Sequence, residues 1–264
     1  MPGDVIRVET DARGVATLWM TRAEKHNALN AELIAALHGA ADRLGSDPDV
    51  RVVVLAGEGK SFCAGGDLRW MQAQMDASAA DRGREARKLA EMLEALNSLP
   101  KPVIGRVHGN AFGGGVGLAC ICDVSIGVAG ARFGLTETKL GLIPATIGPH
   151  VIARLGEAMA RRVFMSSRLF DAEEAVTLGV IAKAVAGGDL DAAVEAEVAP
   201  YLACAPGAIA AAKALARACG GGVSPEIIDD TIRRLVARWE TEEAREGVAA
   251  FFEKRPAAWV TPVK

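Results

Sequence analysis

Gly109-Asn110-Ala111-Phe112-Gly113-Gly114-Gly115-Val116-Gly117 places four glycines within five positions, Gly113 to Gly117. Before it, Val103-Ile104-Gly105-Arg106-Val107 reads as an apolar strand; after it, Leu118-Ala119-Cys120-Ile121-Cys122 reads as an apolar helix. A helical glycine gives up packing area and about 1 kcal/mol relative to alanine. That loss is tolerated where the backbone must come close to something, so that bare N–H groups can touch it. The run therefore predicts a strand, a ligand-contacting turn and a helix. Tight packing of helix on strand accounts for one or two of the glycines, but less readily for four.

Other glycine-rich motifs fit poorly. A dinucleotide fingerprint begun at Gly113 would need glycine where Leu118 stands, and a phosphate-binding loop would need Lys-Ser/Thr after Gly114, where Gly115-Val116 follows. Gly59-Lys60-Ser61 lacks its upstream glycine, Val54 occupying that place.

Strands and helices alternate on both sides of the run. Val5–Glu9 and Val15–Met20 alternate as strands about a turn at Asp11–Gly14. Asn30 is a plausible N-cap for a helix carrying Leu33, Ile34, Leu37 and Leu44 on one face, ended by Gly45-Ser46-Asp47-Pro48. Arg51–Ala56 is a buried strand, and Leu89, Met92, Leu93, Leu96 and Leu99 mark a helix stopped by Pro100 and Pro102. The strand, loop, helix order repeats at Val103–Ile121 and again from Val124, the pattern of an α/β protein whose ligand loops lie at one end of the strands. From about Leu190 strand signals vanish; 190–218 and 224–253 read as helices about Gly220-Gly221-Gly222, a helical assembly surface.

At 264 residues, one core with an appendage is the natural expectation. Half the residues are hydrophobic and 24% charged, with a net charge of −3 and interspersed signs, which gives no support for nucleic-acid or anionic-membrane binding. No secretory signal opens the chain and no uncharged apolar run approaches the roughly 20 residues that span a bilayer. The five cysteines form no C-x-x-C pair and read as reduced thiols; metal and disulfide roles are not expected. A cytoplasmic protein is expected.

A second small-residue turn, Ser61-Phe62-Cys63-Ala64-Gly65-Gly66-Asp67, follows the Arg51–Ala56 strand. Two such turns can each aim an N–H at one oxygen, an oxyanion hole, in which one donor is worth on the order of 10²–10³ in rate. Asp67 by itself reads as a helix cap.

Together, S-F-C-A-G-G-D-L, H-G-x-A-x-G-G-G-x-x-L, C-D and F-G-x-x-E-x-x-L-G, with R-A-E-K-H-N-A-L-N before and F-F-E-K-R after, closely resemble the crotonase (enoyl-CoA hydratase/isomerase) family over nearly the whole chain. The resemblance implies an α/β crotonase-type spiral of repeated ββα units over residues 1–195, holding the acyl-CoA site. A helical C-terminal region, 196–264, would pack into homotrimers or dimers of trimers. It implies that Ala64 and Gly114 hold the thioester carbonyl and that Glu137 is the acid/base. Lys25, Ala28 and Leu29 would lie along the CoA; Ala64, Gly65, Gly66, Asp67 and Leu68 would surround its adenine and pantetheine end. Gly113 would line the site beside Gly114, and Phe251 and Lys254 would touch the nucleotide. Lys25 and Lys254 also read as solvated charges, and Phe251 as core. The substrate is the acyl-CoA itself, with no other cofactor. A carboxyl at Glu137 in an apolar setting would have a raised pKa, suiting a general acid.

The chain departs from the two-glutamate pattern at Gly117, where hydratases carry their first glutamate. His108 reads as structural, Asp123 as part of a buried turn, and His150 as a weaker candidate to face the pocket. Two enzyme readings remain: isomerisation of a 3-enoyl-CoA to a 2-enoyl-CoA through one glutamate, and hydration of a 2-enoyl-CoA. V-H-G-N-A-F-G-G-G-V-G-L with L-G-L-I-P-A-T-I-G-P resembles a bacterial subgroup with glycine here, hydratases of 3-methylglutaconyl-CoA or isohexenylglutaconyl-CoA in leucine or acyclic-terpene breakdown, which favours hydration. Gly117 would then leave space for water positioned by the substrate's own distal carboxylate. A non-catalytic acyl-CoA-binding scaffold is the reading of another class, and RNA binding finds no basic patch.

Overall fold

The computed structural model describes residues 4–220 and 241–260. Strands β1 (Ile6–Thr10) and β2 (Val15–Met20) form an antiparallel pair, and β2 continues in parallel with β3 (Val52–Gly57), β5 (Val103–Val107), β7 (Val124–Val128) and β10 (Lys183–Val185) in a six-stranded sheet. A smaller four-stranded sheet is built from β4 (Ser61–Cys63), β6 (Asn110–Phe112), β8 (Phe133–Gly134) and β9 (Leu169–Phe170). The chain thus visits the sheets alternately: β3 then β4, β5 then β6, β7 then β8. Each of these three visits to the large sheet is followed by one to the small sheet, which is the ββα spiral expected from the family resemblance.

The β4 visit leads into α2 (Leu68–Asp76) and α3 (Ala79–Ser98), and the β6 visit into α4 (Gly114–Ile121). Helix α1 (Ala31–Ser46) starts as the sequence requires, the Asn30 side chain accepting from the Leu33 amide at 2.9 Å. Its buried face, Leu33, Ile34, Leu37, Ala40, Ala41 and Leu44, joins Leu89, Met92, Leu93 and Leu96 of α3 in the main core. Helix α4 is buried from Gly115 to Ile121, on all sides, which explains why it is apolar all round.

A second core lies on the other face of the large sheet, where Val15, Val52, Val54, Ile104 and Ile126 meet Leu190, Val194 and Val198 of α8 (Leu190–Leu202). The expected boundary near residue 195 therefore falls inside α8. The helix expected over 190–218 is broken after Leu202. Pro206, which lacks a backbone N–H, opens a separate helix, α9 (Pro206–Cys219). Of the helix expected over 224–253, residues 221–240 lie outside the described residues, and α10 covers Glu242–Glu253. Between β8 and β10 the chain forms α5 (Gly148–Leu155), α6 (Glu157–Phe164) and α7 (Ala172–Leu178).

Candidate active site

The two small-residue turns meet. Gly65, at φ 92°, and Gly113, at φ 49°, hold backbone conformations that L side chains rarely adopt, and a side chain begun at Gly113 would approach the Gly65 Cα to 3.8 Å. The approach of α4 to β4 is closer still, since a Cβ on Gly115 would lie 2.2 Å from the Cys63 carbonyl oxygen. Gly115 is thus the packing glycine of the run. Leu29 sits beneath the junction, its Cδ1 2.6 Å from where a Cβ on Gly114 would stand.

The amides of the first turn are not all open, and one expectation is corrected. The Ala64 N–H donates to the His26 carbonyl at 3.0 Å, so it is not free to hold a thioester oxygen. The Gly65 amide hydrogen-bonds the Cys63 sulfur, and the Asp67 amide donates to the Leu29 carbonyl at 2.9 Å. The Gly66 N–H alone in this turn has no acceptor among the described residues. In the second turn Gly113 donates to the Gly134 carbonyl at 2.9 Å, and Val116 and Gly117 donate back to the Gly113 carbonyl. That leaves the Gly114 and Gly115 amides at the N-terminus of α4, where the helix dipole favours negative charge. Gly115 packs against Cys63, whereas Gly114 faces Gly65 of the first turn, so the candidate pair for an oxyanion is Gly66 and Gly114, with Gly66 replacing Ala64.

Glu137 opens a short 3₁₀ turn, Glu137–Leu140, pinned by Ser167, whose hydroxyl bonds Thr138 Oγ1 and accepts from the Lys139 amide. Its carboxylate is aimed at the second glycine turn: a side chain begun at Gly113 would meet Glu137 Oε1 at 3.0 Å. Oε2 is buried with no hydrogen-bond partner among the described residues. Burial pushes the Glu137 pKa above its ordinary value, against a smaller opposing pull from its own backbone amide. A surface glutamate beside Lys139 would have neither property. The carboxyl and the Gly66 and Gly114 amides can hold an acyl oxygen and move a proton beside it.

Asp67 is the N-cap of α2, accepting from the Arg69 and Trp70 amides, and its other oxygen pairs with Arg22 at 3.0 Å. Its carboxylate is occupied, as the cap reading expects. Ala28 and Leu29 are buried, and the Leu29 amide donates to the Gly65 carbonyl at 2.7 Å, so this segment supports the turn from beneath. Lys25 is exposed at the end of the 3₁₀ turn Ala23–Lys25, and Leu68 is 82% exposed, leaving both open to a ligand. Lys254 is exposed just beyond α10, with no hydrogen bond or ion pair to the two turns among the described residues; Phe251 lies in α10 and its side chain is outside them.

Gly117 does not leave open space. A Cβ there would fall 2.6 Å from Ile147 Cγ2 and 2.9 Å from Ile147 Cβ, and Ile147 is itself buried. The place of a first glutamate is filled by hydrocarbon, which removes the idea of water seated at Gly117. Gly117→Ala should destabilise the fold by about 1–3 kcal/mol through overpacking. The same change in an Ile147→Gly background should have almost no further effect, because that background removes both the Cγ2 and the Cβ that the new methyl would meet. Urea unfolding of the two single variants and the double variant measures this coupling, and additive losses would contradict the contact.

The remaining candidates lie elsewhere. Asp123 accepts from the Val103 amide and from Lys213 Nζ, both at 2.8 Å, tying α9 to the sheet. The charged neighbours of His150 are Glu94 and Arg217, an ion pair between α3 and α9. Cys63 is fully buried, and burial pushes its thiol up to about 12, so it is no nucleophile.

Residues 10–262 match the model of the enoyl-CoA hydratase/isomerase family. A putative enoyl-CoA hydratase of Thermus thermophilus is 33% identical over 94% of this chain and 98% of its own. The mitochondrial methylglutaconyl-CoA hydratase of Mus musculus is 36% identical over 67% of this chain and 56% of its own. The crystal structure of an enoyl-CoA hydratase from Shewanella pealeana superposes with a TM-score of 0.93 at 34% identity, covering 97% of this chain and 96% of that one. With two sheets visited in alternation and two glycine turns meeting beside a half-buried glutamate, the chain belongs to the enoyl-CoA hydratase/isomerase family and is one of its crotonase-type enzymes.

Proposed function

We propose that this protein hydrates a 2-enoyl-CoA of the 3-methylglutaconyl-CoA type, with Gly66 and Gly114 as oxyanion donors and Glu137 as the acid/base. The observation that carries the reading is the half-buried Glu137, its Oε2 without a partner and its Oε1 beside Gly113, next to the open Gly66 and Gly114 amides. The thioester oxygen sits between the amides, so negative charge arriving on it is stabilised in a site where no reorganisation is needed. The Glu137 carboxylate takes a proton from water as the water oxygen bonds to Cβ, and the electron pair of the Cα–Cβ double bond moves onto the carbonyl oxygen as an enolate. The same carboxylic acid then returns the proton to Cα, restoring the carbonyl. One carboxyl on one face thus completes the addition, and no second glutamate is required at Gly117. No resident cofactor enters these steps.

The acyl class is supported by the L-G-L-I-P-A-T-I-G-P block and by the partial match to the mouse methylglutaconyl-CoA hydratase. A specific observation also favours a second reading. With Ile147 in place of a first glutamate, the single carboxyl could instead carry a proton from C2 to C4 of a 3-enoyl-CoA. The two reactions change the conjugated-enoyl absorbance in opposite directions. Purified protein should lower it with methylglutaconyl-CoA, and more weakly with crotonyl-CoA. A rise with 3-hexenoyl-CoA and no fall with the others would establish the isomerase, and silence on all three would favour a binding scaffold. We further propose assembly as homotrimers or dimers of trimers, supported by the exposed apolar side chains of Leu140, Ile143 and Met165; a monomeric molar mass in solution would refute it.

A further inference from the structure

Asn27 does not touch the two amides, yet it is fully buried at φ 53°, in the left-handed backbone region that glycine adopts freely and asparagine tolerates better than most residues. Its Nδ2 donates to two carbonyls, those of Glu58 and Ser61, both at 2.9 Å. These two acceptors fix which way the amide points, because a flipped side chain would set its oxygen against both carbonyl oxygens. Asn27 therefore brackets the turn that joins β3 to β4. The same turn is also held by His108. His108 Nε2 lies 3.1 Å from the Gly59 carbonyl, which can only accept, so Nε2 carries the hydrogen. Next along, Gly109 presses on the turn so tightly that a Cβ there would lie 2.4 Å from the Lys60 carbonyl oxygen. The two side chains pass each other at Gly57, where a Cβ would meet Asn27 Nδ2 at 2.8 Å and His108 Cε1 at 3.3 Å.

This clamp has a cost in stability. Besides the φ of Asn27, its Oδ1 and the Nδ1 of His108 are buried without hydrogen-bond partners among the described residues. What the clamp joins is informative. Ser61 begins β4, which runs into the turn carrying Gly66, and Asn110 begins β6, which runs into the turn carrying Gly114, with Ser61 and Asn110 in register between the two strands. We propose that Asn27 and His108 are positioning residues: by gripping the shared turn between β3 and β4, they fix the separation of the Gly66 and Gly114 amides. This inference rests on the oxyanion-hole reading above. Misplacement of about 1 Å in such a site lowers turnover on the order of 10²-fold.

The test uses the full-length protein with crotonyl-CoA, reading kcat, KM, the thermal midpoint and the carbonyl stretching frequency of the bound thioester, which an oxyanion hole lowers. Asn27→Gly relieves the backbone conformation but removes both hydrogen bonds, separating the two roles of the residue. It should fold, lose roughly 10–100-fold in kcat with KM within about threefold, and forfeit part of the carbonyl shift. His108→Gln, whose amide can still donate to Gly59, should keep most of both, whereas His108→Ala should lose both. If Asn27→Gly retains the wild-type kcat and carbonyl shift, the positioning role is wrong, and a rise in KM with the shift intact would equally overturn it in favour of CoA binding. If the wild type itself shows neither turnover nor a shift, the oxyanion-hole reading falls and takes this inference with it.

Discussion

Glu137→Gln is expected to lower kcat about 10²–10⁴-fold, the range set by loss of a general acid–base, while acyl-CoA binding stays within a few-fold of wild type. The upper part of the range is expected, because one carboxyl performs both proton transfers and nothing at Gly117 stands in for it. Stopped-flow turnover and calorimetric binding of a CoA ester measure the two quantities separately. Equal losses in both would mean that the side chain holds substrate rather than moves protons. A stability signature accompanies the change. The carboxyl keeps its proton to higher pH in the folded protein than in the unfolded chain, whose value is near the ordinary 4.5. Stability from this group is full below the unfolded value and is lost as pH rises through the folded one. Glutamine has no proton to lose, so the variant should gain stability over wild type through that interval and hold a constant margin above it. The acidic limb of the activity profile, where the carboxylate must form, should likewise lie above the ordinary carboxylate range.

The second large effect separates the two candidate amides in the first turn. Gly66→Pro removes the N–H assigned to the thioester oxygen and should lower kcat/KM about 10²–10³-fold. The exchange leaves the pairing of Leu29 with this turn in place, since that pairing uses the Gly65 carbonyl and the Asp67 amide. Gly66→Ala keeps the N–H. Its Cβ would meet only the Met71 sulfur at 3.1 Å and Cγ at 3.3 Å, a flexible side chain that can move, so activity should remain within a few-fold of wild type. Wild-type activity in the proline variant would return the role to another donor.

Much of the fold was legible because its signals are local. The alternation of β1 and β2, the apolar stripe of α1 with its Asn30 cap, and the all-apolar α4 each follow from side-chain period and end chemistry. The break between α8 and α9 was harder to read, since apolar residues continue through Ala203-Cys204-Ala205 and only Pro206 marks a new start. The two glycine turns were legible from residue type and Glu137 only from the family resemblance, and the structure brings them together. The amide at Gly66 was not found, because four small residues in a row look alike until their acceptors are known.

The sequence by itself determined where the backbone must turn, which residues form strands and helices, and the membership of the family. It determined these because hydrophobic period, caps and glycine act within a few residues of one another. Only the tertiary structure decided which amides are free. Ala64 is occupied because the His26 carbonyl, distant in the chain, lies opposite it, and Gly66 is open because none does. It likewise decided that Gly117 is a filled position, since the group in its place, Ile147, arrives from a separate loop. Hydrogen-bond satisfaction and close packing are settled by whichever distant atoms arrive, and a linear pattern does not carry that information.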